Sequence, residues 1–112
     1  MVTKRKKRRK LIFNLTVLHR NSGQLLGYLL DITQEGFMII SENPLELNKI
    51  YQIKILLGKE IDGHDYLDCA AKSLWSKKDV NKSYYDTGFK IVDSSIDFKL
   101  YQQIILELGF DQ

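Results

Sequence analysis

At 112 residues the chain has room for one hydrophobic core and one domain. Its composition, 44% hydrophobic and 28% charged, is that of an ordinary globular domain. No apolar run approaches the ~20 residues needed to cross a bilayer, and the basic start is not followed by an apolar signal-peptide core, so a cytoplasmic protein is expected.

The formal net charge of +3 conceals an asymmetry. Seven of the seventeen basic residues lie in Lys4–Lys10, leaving ten against fourteen acidic ones in the remainder. The chain is therefore a mildly acidic domain with a concentrated positive arm, which argues against a protein built to coat nucleic acid with its whole surface. A single cysteine, Cys69, cannot form an internal disulfide and fits a reducing compartment.

Taken in order, residues 1–10 lack a core-forming pattern and read as a flexible basic arm. Leu11, Phe13, Leu15 and Val17 then alternate with Ile12, Asn14, Thr16 and Leu18, the period of a strand. Asn21-Ser22-Gly23 is a turn signal. A second strand, Gln24–Ile32, runs into Asp31 and a polar step through Thr33, Gln34 and Glu35 to Gly36. A third strand, Phe37–Ser41, resumes at once and ends near Asn43-Pro44. Tyr51, Ile53, Ile55 and Leu57 mark a fourth strand, and Gly58–Asp65 a polar connection holding the hairpin-type pair Asp62-Gly63. Leu67, Cys69, Ala71, Ser73 and Trp75 define one face of a fifth strand, Ser76–Ser83 a polar connection, and Tyr85–Ile91 a sixth strand.

After Asp93 the period changes. Ile96, Leu100, Ile104 and Leu108 fall four apart, predicting an amphipathic helix within residues 94–109, with Ser94 or Ser95 as its cap and Gly109 as its stop. Six short strands in residues 11–93, then one helix, predict a mainly β fold: a small antiparallel barrel or sandwich within a single domain.

No enzyme site emerges. His19 and His64 lie in no metal-ligand spacing, one cysteine makes no zinc cluster, and neither a nucleophile elbow nor a phosphate-binding glycine loop is present. A binding protein without cofactor or metal is expected. Alone, the basic run reads as a solvated tail or a nucleic-acid patch, and Asp31-x-Thr33-x-x-Gly36 as a strand-end turn.

Together, and in this order, the two stretches resemble the PilZ family, bacterial receptors for cyclic di-GMP. That family carries an arginine-x-x-x-arginine motif just before its first strand and a D/N-x-S-x-x-G motif at the end of its second. Arg5 and Arg9 match the first; Asp31, Thr33 and Gly36 match the second, with Asp31 22 positions after Arg9. Asp86–Ile91 looks like the glycine-hydrophobic pattern of the family's last barrel strand. The match runs to about residue 105, with Thr33 in place of the usual serine and with Lys4/Arg8 as a competing frame for the arginine pair.

The resemblance implies a six-stranded antiparallel PilZ-like barrel with a C-terminal helix, and a site for cyclic di-GMP made by Arg5, Arg9, Asp31, Thr33 and Gly36, with Arg8 as a possible addition. The residue types suit that ligand. A guanidinium can fork onto guanine O6 and N7, pair with phosphate, or stack on a purine. A carboxylate accepts from guanine N–H donors, and a hydroxyl donates or accepts. Gly36 is expected to let the chain turn where a Cβ would cost energy or block the ligand. The implied function is a receptor or adaptor that orders its arginine arm on binding and signals to an effector protein in motility, surface attachment or secretion. Two alternatives stand beside it. One is a PilZ-like interaction module that binds no nucleotide; the other is a small nucleic-acid-binding barrel, against which the basic run lacks interleaved aromatic residues.

Overall fold

The computed structural model describes residues 15–93 and 95–108. The basic arm with Arg5, Arg8 and Arg9, the residues Leu11–Asn14 expected to begin the first strand, Ser94 and Gly109 lie outside the described residues.

Six strands follow one another: β1 (Thr16–His19), β2 (Leu25–Ile32), β3 (Gly36–Ser41), β4 (Ile50–Ile61), β5 (His64–Lys78) and β6 (Tyr85–Ile91). They close into a barrel in the order β1-β2-β3-β6-β5-β4, every neighbouring pair antiparallel. Closure gives each strand a neighbour on both sides. One helix, α1 (Phe98–Leu108), follows the last strand. It is not long and apolar enough to cross a membrane.

The period-two residues of the sequence become the core. Val17, Leu29, Ile39, Ile53, Ile55, Leu57, Leu67, Cys69, Ala71 and Phe89 all point inward and are buried. Phe89 anchors this interior, stacked on Phe37 at 5.4 Å between ring centroids and edge-on to Tyr51 at 5.7 Å. Leu100, Tyr101 and Ile104 of α1 are buried with the same core cluster, which also takes in Ile61.

The structure departs from the sequence expectations at three places. The connection expected at Gly58–Asp65 is largely strand, and the one expected at Ser76–Ser83 is strand as far as Lys78. β4 continues to Ile61 and returns as β5 after the two-residue turn Asp62-Gly63, and β5 continues to Lys78, paired with Tyr85. The polar composition of Gly58–Asp65 reflects its partner: Ile61 is buried, while Lys59 pairs with Glu107 of α1 at 3.0 Å and His64 approaches Asp97 at 3.8 Å.

Second, the cap of α1 is Asp97, rather than Ser94 or Ser95. Its Oδ1 accepts from the Leu100 amide at 3.0 Å, the bond a cap makes to the third helical residue. Ser95 instead donates to Asp93 from its amide and its hydroxyl, at 2.9 and 2.6 Å, in the bend before the helix. The helix starts at Phe98, within the 94–109 segment expected to hold it.

Third, Trp75 does not share a face with Cys69, Ala71 and Ser73. Ser73 pairs with Phe89 and Trp75 with Gly88, so Leu74 is an extra residue that inverts the alternation. Ser73 is fully buried, whereas Trp75 is 41% exposed.

Candidate functional site

A second bulge stands on β2, with β3 and β6 between it and the first. On β2, Leu29 pairs with Ile39 and Asp31 with Met38, leaving Leu30 as the extra residue. Uninterrupted alternation from the buried Leu29 would aim Asp31 into the core and Ile32 outward. With the bulge, Ile32 is buried and Asp31 is only partly covered. One extra residue on β2 and one on β5 thus turn Asp31 and Trp75 to the outside of the barrel.

The pairing register then places four residues in one row across four strands. Asp31 on β2 is opposite Met38 on β3, Met38 is opposite Gly88 on β6, and Gly88 is opposite Trp75 on β5. Asp31 and Trp75 stand at the two ends of the row. Between them lies a groove of about 470 Å³, also lined by Thr33, Glu35, Gly36, Leu74 and Lys90. That volume suits a small ligand. Asp31, Thr33 and Gly36, singled out in the sequence, therefore line one cavity. Arg5, Arg8 and Arg9 lie outside the described residues.

Residue 88 has no side chain, and Trp75 rests in its place. A Cβ on Gly88 would collide with the Trp75 indole, which lies across this glycine. Gly36 has a different reason from the one expected. It pairs with Lys90 at the start of β3, and a Cβ there would collide with the Phe89 carbonyl. The close approach of β6, rather than a turn conformation, requires glycine at this position.

The turn between β2 and β3 is held by local bonds. The Thr33 amide donates to the Gly36 carbonyl at 2.8 Å. The Thr33 hydroxyl accepts from the Glu35 amide at 3.3 Å and lies 3.4 Å from the Gly36 oxygen. Both hydroxyl contacts are long, and the exposed side chain faces solvent at the groove. One Asp31 oxygen accepts from the Ile32 amide at 2.8 Å, which fixes the carboxylate at the strand end. The inner side of the turn meets α1. The buried Tyr101 hydroxyl lies 2.6 Å from the Thr33 carbonyl and 3.1 Å from that of Gly36.

Charge in this groove is unbalanced. Among the described residues, two carboxylates, Asp31 and Glu35, and one cation, Lys90, line it. Guanine-type donors suit those carboxylates, whereas a phosphate needs further positive charge. Among the described residues no group of three or more histidine, cysteine or acidic side chains can hold a metal ion.

A family model for the PilZ domain matches residues 3–107. This chain belongs to the PilZ domain family. PilZ domains are binding and adaptor modules rather than enzymes. No curated protein matches the chain. Among solved structures, that of the Bacillus subtilis inhibitor of motility (MotI/DgrA) is similar in fold. It has a TM-score of 0.61 and 14% sequence identity, and the match covers 87% of this chain and 47% of that one. The PilZ chain described here thus spans about half the length of that protein.

Trp75 and its bed Gly88 were not singled out in the sequence as groove residues, nor was Tyr101, which lies beneath the turn on its core side. The signal for Trp75 was present. Leu74-Trp75 places two large apolar residues in succession on a strand that had alternated strictly until Ser73. A break in period between two well-formed stretches marks a bulge.

Proposed function

We propose that this PilZ domain is a receptor for cyclic di-GMP, and that it passes the signal to an effector protein. The observation that carries the reading is the row Asp31, Met38, Gly88, Trp75, which sets a carboxylate and an exposed indole at the two ends of one groove. In this arrangement Asp31 accepts from the N1–H and N2–H₂ donors of one guanine, with Thr33 beside it as a second polar partner. The Trp75 face offers a stacking surface for a purine, an interaction of about 1–3 kcal/mol per base. Gly36 lets β3 and β6 approach closely beneath the groove, and Gly88 lets the Trp75 indole rest against β6.

The two phosphates are left to the basic arm. Lys90 alone does not offset Asp31 and Glu35. Arg5 and Arg9, with Arg8 as an addition, supply guanidinium groups that bind phosphate in a fork and stack on guanine, which lysine does not do. Ordering the arm costs conformational entropy, which offsets part of the contact energy. A micromolar dissociation constant, about −8 kcal/mol, suffices for a second-messenger sensor. The output is a change of shape and surface read by another protein, in the cytoplasm. Motility, surface attachment and secretion are the processes proposed; the likeness to an inhibitor of motility is consistent with the first.

The chain carries its own reporter, since Trp75 is its one tryptophan. Titration of the full chain with cyclic di-GMP is expected to quench and shift Trp75 emission saturably at micromolar ligand. Arg9→Ala is expected to abolish the change, and Thr33→Ser to strengthen binding by relieving the extra methyl at the groove. Emission that stays constant up to hundreds of micromolar ligand overturns the reading.

A further inference from the structure

Beneath the turn of the candidate groove lies a buried hydroxyl of α1. Tyr101 is fully buried, and its phenol reaches the carbonyls of Thr33 at 2.6 Å and Gly36 at 3.1 Å, the two ends of the turn that carries the groove motif. A phenol has one proton. The shorter contact takes most of it and the Gly36 oxygen, which also accepts from the Thr33 amide, takes the longer branch. Burial raises the Tyr101 phenol above its ordinary pKa, so it stays a donor at any physiological pH.

Tyr101 approaches the turn from the core side, while the groove lies on the outer side. A ligand and the helix thus hold opposite faces of the same four residues without competing for space. The outer contact of Gln34 with Gln102, at 3.3 Å, joins the same two elements at the surface. α1 is tied in turn to the tip of the β4–β5 hairpin by Lys59–Glu107 at 3.0 Å and more distantly by His64–Asp97 at 3.8 Å.

We infer that Tyr101 is a positioning residue which links docking of α1 to occupation of the groove, so that cyclic di-GMP binding tightens the helix onto the barrel and the docked helix tightens nucleotide binding. This rests on the reading of the groove as a cyclic di-GMP site. The linkage is reciprocal: whatever factor the docked helix contributes to affinity, the nucleotide returns to helix docking. A partner that distinguishes the docked from the released helix would thereby sense the nucleotide.

The test combines calorimetric affinity with backbone hydrogen exchange of α1, on the full chain, with cyclic di-GMP as the probe. Tyr101→Phe keeps the ring in the core and removes only the hydroxyl. It is expected to weaken binding about tenfold. In the wild-type protein, saturating ligand is expected to slow exchange in α1 by about the same factor, and this slowing is expected to be largely lost in Tyr101→Phe. Ile53→Val, a core change on the barrel, controls for lowered stability and is expected to leave both quantities within twofold of wild type. Binding of Tyr101→Phe within twofold of wild type overturns the linkage alone. The same holds if ligand binds the wild-type chain without slowing exchange in α1, or if Ile53→Val reproduces the tenfold loss. No binding by folded wild-type protein overturns the nucleotide reading and the linkage with it.

Discussion

Gly36 and Gly88 show at the scale of single residues how the groove depends on missing side chains. The two sites differ in what a Cβ would meet. At Gly88 the obstacle is an indole at the surface, which can swing away. At Gly36 it is the backbone of β6, which cannot move without separating paired strands. Gly36→Ala is therefore expected to cost about 2–3 kcal/mol, as overpacking of a well-packed site does. In a domain of this size that lowers the melting temperature by roughly 10 °C or more, measured by thermal denaturation. A Gly36→Ala protein that melts with the wild type would show that β3 and β6 separate there without cost. The glycine itself was legible in the sequence as part of a motif, but its reason was not. Its neighbour Phe89 is 53 positions away, and only closure of the barrel brings the two backbones together.

At the scale of elements, period-two alternation was enough to locate β4 and β6, and apolar runs bounded by turn residues to locate β2 and β3, because each has one face on a continuous core. It failed where something other than that core decided the structure. The ends of β4 and β5 are polar, yet they are strand because they pair with each other and Ile61 is buried with the helix residues of the core. The bulges at Leu30 and Leu74 left no glycine or proline to mark them; each is set by how the strand fits its neighbour. Asp31 and Thr33 could be named as groove residues from the motif alone, but Trp75 needed the bulge. The junction of β6 and α1 is likewise a tertiary feature. Asp93 accepts from the Ser95 hydroxyl and amide and from the Ala70 amide at 3.1 Å, and these bonds, led by the Ser95 hydroxyl, hold its carboxyl below the usual carboxylate range. A pKa lowered by folding stabilises the protein above the unfolded value of about 4, and that contribution is lost as pH falls through the folded value. Asp93→Asn is thus expected to be less stable than wild type at pH 7, with the difference shrinking as acid approaches pH 2. Urea unfolding across that range measures it, and a difference that stays constant with pH would contradict the assignment.

At the scale of the whole molecule, the described residues form a closed barrel capped by one helix, and its interior holds a reporter of global opening. Cys69 is fully buried on β5, and burial, aided by the Asp93 carboxylate, pushes its thiol up to about 12. The reactive thiolate is therefore scarce at pH 8, and the sulfur is out of reach of reagents. Thiol labelling of the native protein is expected to be slow and to accelerate with urea in step with unfolding followed by circular dichroism. Rapid labelling in buffer alone would mean that β5 opens locally, which the ladders on both its sides oppose.

At this scale the sequence resemblance and the register agree on the same surface. The motif named Asp31, Thr33 and Gly36, and the barrel brings them to a groove that the opposite strand completes with Trp75. The groove as a cyclic di-GMP site is tested most directly by calorimetric titration of the full chain with that nucleotide. Saturable binding at micromolar ligand is predicted, absent in Arg9→Ala and at least tenfold weaker in Asp31→Ala. No heat at tens of micromolar nucleotide, from folded wild-type protein, would contradict it.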